Sequence, residues 1–202
     1  MKVITVKTGF LQENCYIISG DNGTEAILID PGADAEKIAS AMRGAGLAPK
    51  AVLLTHAHFD HIGAAKYFQD ASCGVYLHGA DYALIPGSIA AGNYYCAPVA
   101  SFAPDKELTD GQKLRICGLD ITVLHTPGHS EGGVCYIIEN AIFSGDTLFY
   151  LSIGRTDFET GDDIAMRASL GRLFALSGDY VVYPGHGQAT SLEFERKNNP
   201  YA

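Results

Sequence analysis

The run Thr55-His56-Ala57-His58-Phe59-Asp60-His61 places three imidazoles and a carboxylate within residues 56–61, directly after the apolar stretch Ala51-Val52-Leu53-Leu54. Further along stand His129 in Thr126-Pro127-Gly128-His129, Asp146 in Ser144-Gly145-Asp146-Thr147 and His186 in Pro184-Gly185-His186-Gly187. Each of these three also follows a short strand-like run and sits at a glycine-rich turn. Imidazole nitrogen and carboxylate oxygen are the donors that borderline divalent metals prefer, and seven of them are enough for two ions. Metal pairs of that kind activate water for hydrolysis. A lone histidine at a strand end is usually solvated or satisfied by a neighbour. Three histidines and an aspartate at i, i+2, i+4 and i+5 instead concentrate polar groups where burial is costly unless something satisfies them. His78 and His125 lack that company. His125 ends the apolar stretch Ile121-Thr122-Val123-Leu124 and reads as packed or supporting, and His78 as a loop residue.

These side chains need a scaffold, and composition allows one. The chain has 202 residues, 47% of them hydrophobic and 18% charged, with a slightly positive mean hydropathy of +0.07. Such a chain can bury a core as a single domain over residues 1–202 and is not a disordered one. A net charge of −9 with no basic block argues against a nucleic-acid partner. Bound divalent cations would still make the site itself attractive to an anion. Five cysteines, an odd number without a Cys-x-x-Cys pair, sit in or beside apolar runs. They read as free thiols in a reducing cytoplasm. The start Met1-Lys2-Val3-Ile4-Thr5-Val6 alternates like a strand and is too short and interrupted for a signal peptide, and no run is long enough for a membrane span.

The pattern predicts strands at 2–6, 14–19 and 24–30, the last two joined by the hairpin signal Gly20-Asp21-Asn22-Gly23. A helix over 34–44, strand 51–54, a helix from about His61 to Gln69, strand 74–77 and a short helix near 80–85 follow. Residues 86–104, with three prolines, two glycines and Tyr94-Tyr95, read as a long irregular loop. Strands at 113–117, 119–125, 133–138 and 141–144, a helix at 162–176, strand 180–183 and a helical end at 189–197 complete the chain. Strands dominate each half and a helix closes each. That order predicts an α/β fold of two β layers with helices outside, a four-layer αββα sandwich. The candidate ligands then fall in loops after strands, where rigid elements can make them converge.

The motifs resemble the metallo-β-lactamase superfamily, and within it a short form of the glyoxalase II (hydroxyacylglutathione hydrolase) branch. The likeness runs from Asp30 through Thr-His-x-His-x-Asp-His, Thr-Pro-Gly-His and Gly-Asp-Thr-Leu-Phe to Gly185-His186 and the closing Glu195-Arg196-Lys197-Asn198-Asn199-Pro200. The resemblance implies that His56, His58 and His129 hold one metal, that Asp60, His61 and His186 hold the other, and that Asp146 bridges them. Zinc is the first expectation, with iron or manganese as alternatives. It makes Asp30 a carboxylate that orients a ligand histidine, where the plain reading is a turn residue before Pro31. It also implies attack of a metal-bridging hydroxide, oriented by Asp60 as the catalytic carboxylate, on the acyl carbonyl of an anionic small-molecule thioester. A thiol leaving group with a pKa of roughly 8.5 can depart without a dedicated acid.

The likeness thins at substrate recognition. Arg155 stands where a basic residue of longer relatives helps hold glutathione, but Asp157 replaces an aromatic donor and the helical C-terminal domain of those relatives has no counterpart. Ser130-Glu131-Gly132 replaces the usual Thr-Pro-Gly. Arg155 is therefore a substrate-binding candidate or a plain surface charge. Other functions share the scaffold: a glutathione persulfide dioxygenase with one iron, drawing on His56, His58, His129 and Asp146; a lactonase or β-lactamase; and a non-enzymatic metal-binding protein.

Overall fold

The computed structural model describes residues 1–202. The first half builds one sheet from β1 (Lys2–Thr8), β2 (Glu13–Ser19), β3 (Glu25–Ile29), β4 (Ala48–Leu53), β5 (Gly74–His78) and β6 (Lys106–Leu108), in that spatial order. Between them run α1 (Ala35–Gly44), α2 (Phe59–Ile62), α3 (Ala65–Phe68), a 3₁₀ turn (Gly79–Leu84) and α4 (Ile85–Tyr94). The second half adds β7 (Lys113–Ile116), β8 (Leu119–His125), β9 (Val134–Ile138) and β10 (Ala141–Gly145). The small ribbon β11 (Leu148–Phe149) and β12 (Ser152–Ile153), α5 (Asp163–Phe174), β13 (Val181–Pro184), β14 (Thr190–Ser191) and α6 (Leu192–Asn198) follow. The second sheet is ordered β14-β13-β10-β9-β8-β7.

Period-two alternation in the central strands produces the layering. In β2, Cys15 and Ile17 face the helices α1 to α4, while Tyr16 and Ile18 face the other sheet. β3 and β4 repeat this, with Leu28 and Val52 on the helix side and Ile27, Ile29 and Leu53 between the sheets. From the second sheet, Ile121, Val123, Tyr136 and Phe143 fill the same inter-sheet core. Its outer face, through Cys135, Ile142 and Val182, packs on Met166, Leu170 and Leu173 of α5. Strands buried on both faces must be apolar throughout, which is why β2 reads as an unbroken apolar run after Asn14. The result is the four-layer αββα sandwich. No helix is long and apolar enough to cross a membrane.

Three expectations need correction. The segment read as an irregular loop opens with α4. Pro86 lies in its first turn, where a missing N–H costs nothing, so the proline that suggested a loop in fact starts a helix. The single helix expected over 61–69 is split into α2 and α3. The Pro31-Gly32 turn presses on the break: Ala64 N–H donates to Pro31 O (2.8 Å), and a Cβ at Gly63 would stand 2.1 Å from Gly32 O. His78 is not in a loop but closes β5. Of the cysteines, Cys15, Cys73 and Cys135 are buried, whereas Cys96 is exposed and Cys117 half-buried.

The two sheets meet where the motif after β4 begins. Tyr136 Oη donates to Leu54 O (2.6 Å) from within the core, and Val134 N–H donates to Thr55 O (2.8 Å). Removing the phenol would leave the Leu54 carbonyl unsatisfied among apolar atoms. Tyr136→Phe is expected to lower stability by about 1–3 kcal/mol, read from urea unfolding. An unchanged midpoint would show that the carbonyl finds another donor.

Candidate metal centre

The loops after β4, β8, β10 and β13 converge at one edge of the sandwich and bring all seven sequence candidates together. His56, His58 and His129 form one group and Asp60, His61 and His186 another; within each group the donor atoms lie within 4.8 Å of one another. Asp146 stands between them. Its Oδ2 is 3.4 Å from His129 Nε2 and 3.7 Å from His186 Nε2, and its Oδ1 is 3.5 Å from His61 Nε2. His58 Nδ1 and His129 Nε2 approach to 2.8 Å, and Asp60 Oδ2 lies 3.2 Å from His186 Nε2.

Each histidine whose far nitrogen is anchored turns the near one inward. His61 Nδ1 faces Asp30 Oδ2 (3.0 Å), His129 Nδ1 faces the Arg155 carbonyl (2.8 Å), and His56 Nδ1 faces Thr55 Oγ1 (3.0 Å). Asp30 is buried, has a positive φ of 50°, and also accepts from Thr55 N–H (2.7 Å) and Thr55 Oγ1 (2.6 Å). Its oxygens are therefore already engaged, although it forms a compact group with His56 and His61. Such outer partners set ring orientation and basicity.

The inward atoms are the ones left over. His56 Nε2, His61 Nε2 and Asp146 Oδ1 are buried and have no hydrogen-bond partner. Buried polar atoms are nearly always paired, so a cluster of orphans marks something missing from the polypeptide's own bonding. Donor type, number and placement all fit divalent cations. The electrostatics agree. Burial, reinforced by the neighbouring imidazoles, holds His56 well below the usual histidine range and brings His58 down to about 3. Both therefore present lone pairs at neutral pH. Burial would also lower His61, but Asp146, Asp60 and Asp30 outweigh it and raise the ring. Burial would raise Asp60, yet His61 and His186 pull it below the ordinary carboxylate range, so it is ionised.

The His186 loop is clamped from the first sheet. Asn14 N–H donates to Gly185 O (2.8 Å), Asn14 Nδ2 donates to Pro184 O and Gly187 O (both 3.0 Å), and Tyr16 Oη donates to Pro184 O (2.6 Å). Gly185 has to be glycine here, because a Cβ would come 2.3 Å from Asp146 Oδ1. The polar Glu13-Asn14 step opening an apolar strand was the only sequence sign of this clamp. Asp81 gave no sign at all. Buried in the 3₁₀ turn, it accepts from Ala57 N–H (2.9 Å), Ser130 Oγ (2.8 Å) and Gly132 N–H (2.6 Å). It thereby ties the His56–His58 loop to the His129 loop, and explains what Ser130 and Gly132 do in the unusual sequence after His129. Ser88 of α4 adds a bond to Ala57 O (2.5 Å).

Other candidates fall outside the cluster. His78 and His125 stack at 4.2 Å with an 8° interplanar angle, and His125 Nε2 lies 2.9 Å from Glu131 O. Arg155 does not reach the ligands with its side chain. Its guanidinium forks onto Asp157 (2.5 and 2.7 Å) and lies 4.4 Å over Phe158, whose ring contacts His58 and His129 at 4.9 and 5.4 Å.

The metallo-β-lactamase superfamily model matches residues 8–186, and the chain belongs to that superfamily. Its members bind divalent metals and are mostly hydrolases. Among its relatives, the hydroxyacylglutathione hydrolase GloC of Haemophilus influenzae is 33% identical, over 100% of this chain and 98% of its own. The crystal structure of BLEG-1 B3 metallo-beta-lactamase superposes with a TM-score of 0.91 at 37% identity, covering 99% of both chains. TTHA1623 in a di-iron-bound form gives a TM-score of 0.89 at 40% identity, covering 99% of this chain and 100% of that one.

Asp81 supplies a test of how the site is held. Asp81→Ala removes three bonds between two ligand-bearing loops and is expected to weaken zinc binding about tenfold or more, the scale of outer-shell losses at metal sites. Competition with a chromophoric chelator measures this. An unaltered affinity in a folded variant would show that the loops hold themselves.

Proposed function

We propose that this protein is a dinuclear metal-dependent thioester hydrolase acting on hydroxyacylglutathione-like compounds. The observation that supports this most is the pair of three-donor groups joined by Asp146, with three buried donor atoms unpaired. The GloC relative supports the substrate class. His56, His58 and His129 would hold one ion and Asp60, His61 and His186 the other, with Asp146 shared between them and zinc as the resident metal. Bound there, the ions supply Lewis acidity toward the acyl oxygen and lower the pKa of water toward neutrality. The residues do the rest. Asp60, ionised and beside His186, accepts a hydrogen bond from the attacking water and fixes its direction. Asp30 keeps the proton of His61 on Nδ1, so that Nε2 stays free to bind. Phe158 covers the rings of His58 and His129 and keeps bulk water from that flank. The departing thiolate needs no acid. We assign the protein to the cytoplasm, where its five unpaired cysteines stay reduced.

One alternative draws on His56, His58, His129 and Asp146 alone, a single-iron oxygenase acting on glutathione persulfide. Elemental analysis with a thioester panel separates the two. Two equivalents of metal and thioester turnover are expected, with Asp60→Asn reducing turnover by orders of magnitude while the fold survives. One equivalent of iron with oxygen uptake, or near-normal turnover by Asp60→Asn, would overturn the proposal.

Arg155 is proposed to bind a carboxylate of the thiol carrier by releasing Asp157. That pair is solvent-exposed and so weak enough to exchange. Asp157→Asn is then expected to lower KM for S-lactoylglutathione about two- to fivefold, and Arg155→Ala to raise it, with little change on an uncharged thioester. Equal effects on both substrates would return Arg155 to the role of a surface charge.

A further inference from the structure

Next to the metal centre the surface is apolar in a way that hydrolysis itself does not require. Phe10 and Leu11, on the turn between β1 and β2, are 58% and 45% exposed, and Tyr94 and Tyr95 at the end of α4 are 80% and 54% exposed. Far apart in sequence, these residues meet around Phe59. Phe10 and Tyr95 stack on its ring at 6.3 and 5.6 Å with interplanar angles of 20° and 21°, and Tyr94 meets Tyr95 edge-on at 5.0 Å. Contiguous exposed aromatics of this kind mark binding surfaces, whereas scattered ones do not.

The cluster is continuous with the reacting centre. Phe59 directly precedes Asp60, and a shallow, open depression runs from Phe10 and Leu11 past Phe59 to Asp60, with Gly32 and Ala33 also lining it. No lysine or arginine lines it. An anionic thiol carrier would lose hydration there and gain no partner. The cation proposed for that carrier, Arg155, sits instead beside Phe158 against His58 and His129. The remaining part of a thioester is its acyl group.

We infer that the Phe10, Phe59 and Tyr95 cluster is an acyl-binding subsite that selects bulky apolar or aromatic acyl groups over small polar ones. The inference rests on the thioester reading above and narrows it: lactoyl-sized substrates leave this wall exposed, whereas a phenyl ring covers it. Offset or edge-on contact with an exposed ring of the cluster adds to simple burial.

The test compares S-phenylacetyl and S-acetyl esters of one thiol on the metal-loaded protein. The kcat/KM ratio of phenylacetyl to acetyl is expected to be about tenfold or more, the scale at which hydrophobic pockets discriminate. Phe10→Ala and Tyr95→Ala should each shrink that ratio, mainly through KM. A ratio that neither variant changes overturns the subsite. Calorimetric titration with phenylacetate against acetate separates this from failure of the thioester reading. If no thioester is hydrolysed but phenylacetate binds more tightly than acetate, and Tyr95→Ala removes the difference, the subsite stands and the proposed reaction falls. If the two carboxylates bind alike, the subsite falls. Sedimentation of wild type and Phe10→Ala completes the test: a dimer that the substitution dissociates would make the cluster a contact between copies and overturn the inference.

Discussion

Collecting five histidines and two carboxylates at the buried seam of two sheets is unfavourable for a polypeptide alone. His56 Nε2, His61 Nε2 and Asp146 Oδ1 lie out of water without partners, and unpaired buried polar atoms cost free energy that packing must offset. The fold carries that cost because the strands behind the site are fixed by an inter-sheet core of Ile, Val, Tyr and Phe side chains that cannot shift without opening cavities. The loops have no freedom to swing their donors outward. A divalent cation held by these donors would offset that cost.

Three bonding devices transmit that rigidity to the loops. Asp30 links the β3 end to Thr55 and His61. Asn14 and Tyr16 carry β2 across to the turn before His186. Asp81 joins the two loops that carry His58 and His129. In all three a polar side chain from the first sheet or its connections reaches backbone groups of a ligand loop. Two of the three, those of Asn14 with Tyr16 and of Asp81, cross between the halves, so neither half of the sandwich holds the site by itself.

The donors were legible in the sequence because metal chemistry is local and restrictive: few residue types qualify, four donors crowd into 56–61, and the other three stand at glycine turns after apolar runs. The layers were legible for a similar reason, since β2, β3 and β4 are buried on both faces and leave continuous apolar text. What escaped was set by distant contacts. Asp81 acts on Ser130 across 49 residues of chain, and nothing around it in Gly79-Ala80-Asp81-Tyr82 distinguishes a loop tie from a helix-start aspartate. α4 was hidden because Pro86, Gly87 and Gly92 weigh against a helix, and only packing of Ile85 and Ser88 overrides them. The break after His61 depends on the Pro31-Gly32 turn, remote in sequence and adjacent in space. Two-residue strands such as β11, β12 and β14 are too short to impose a period.

His129 is oriented by the main-chain carbonyl of residue 155, not by its side chain. Every amino acid possesses that carbonyl. The side chain at 155 is thus free to vary in size and charge while the bond that orients His129 stays as it is. A lineage built on this scaffold could change the surface beside His129 by substitution at 155 without losing the bond that orients the ring. Inheritance of chemistry and change of appetite are, at this one residue, separated by the difference between backbone and side chain.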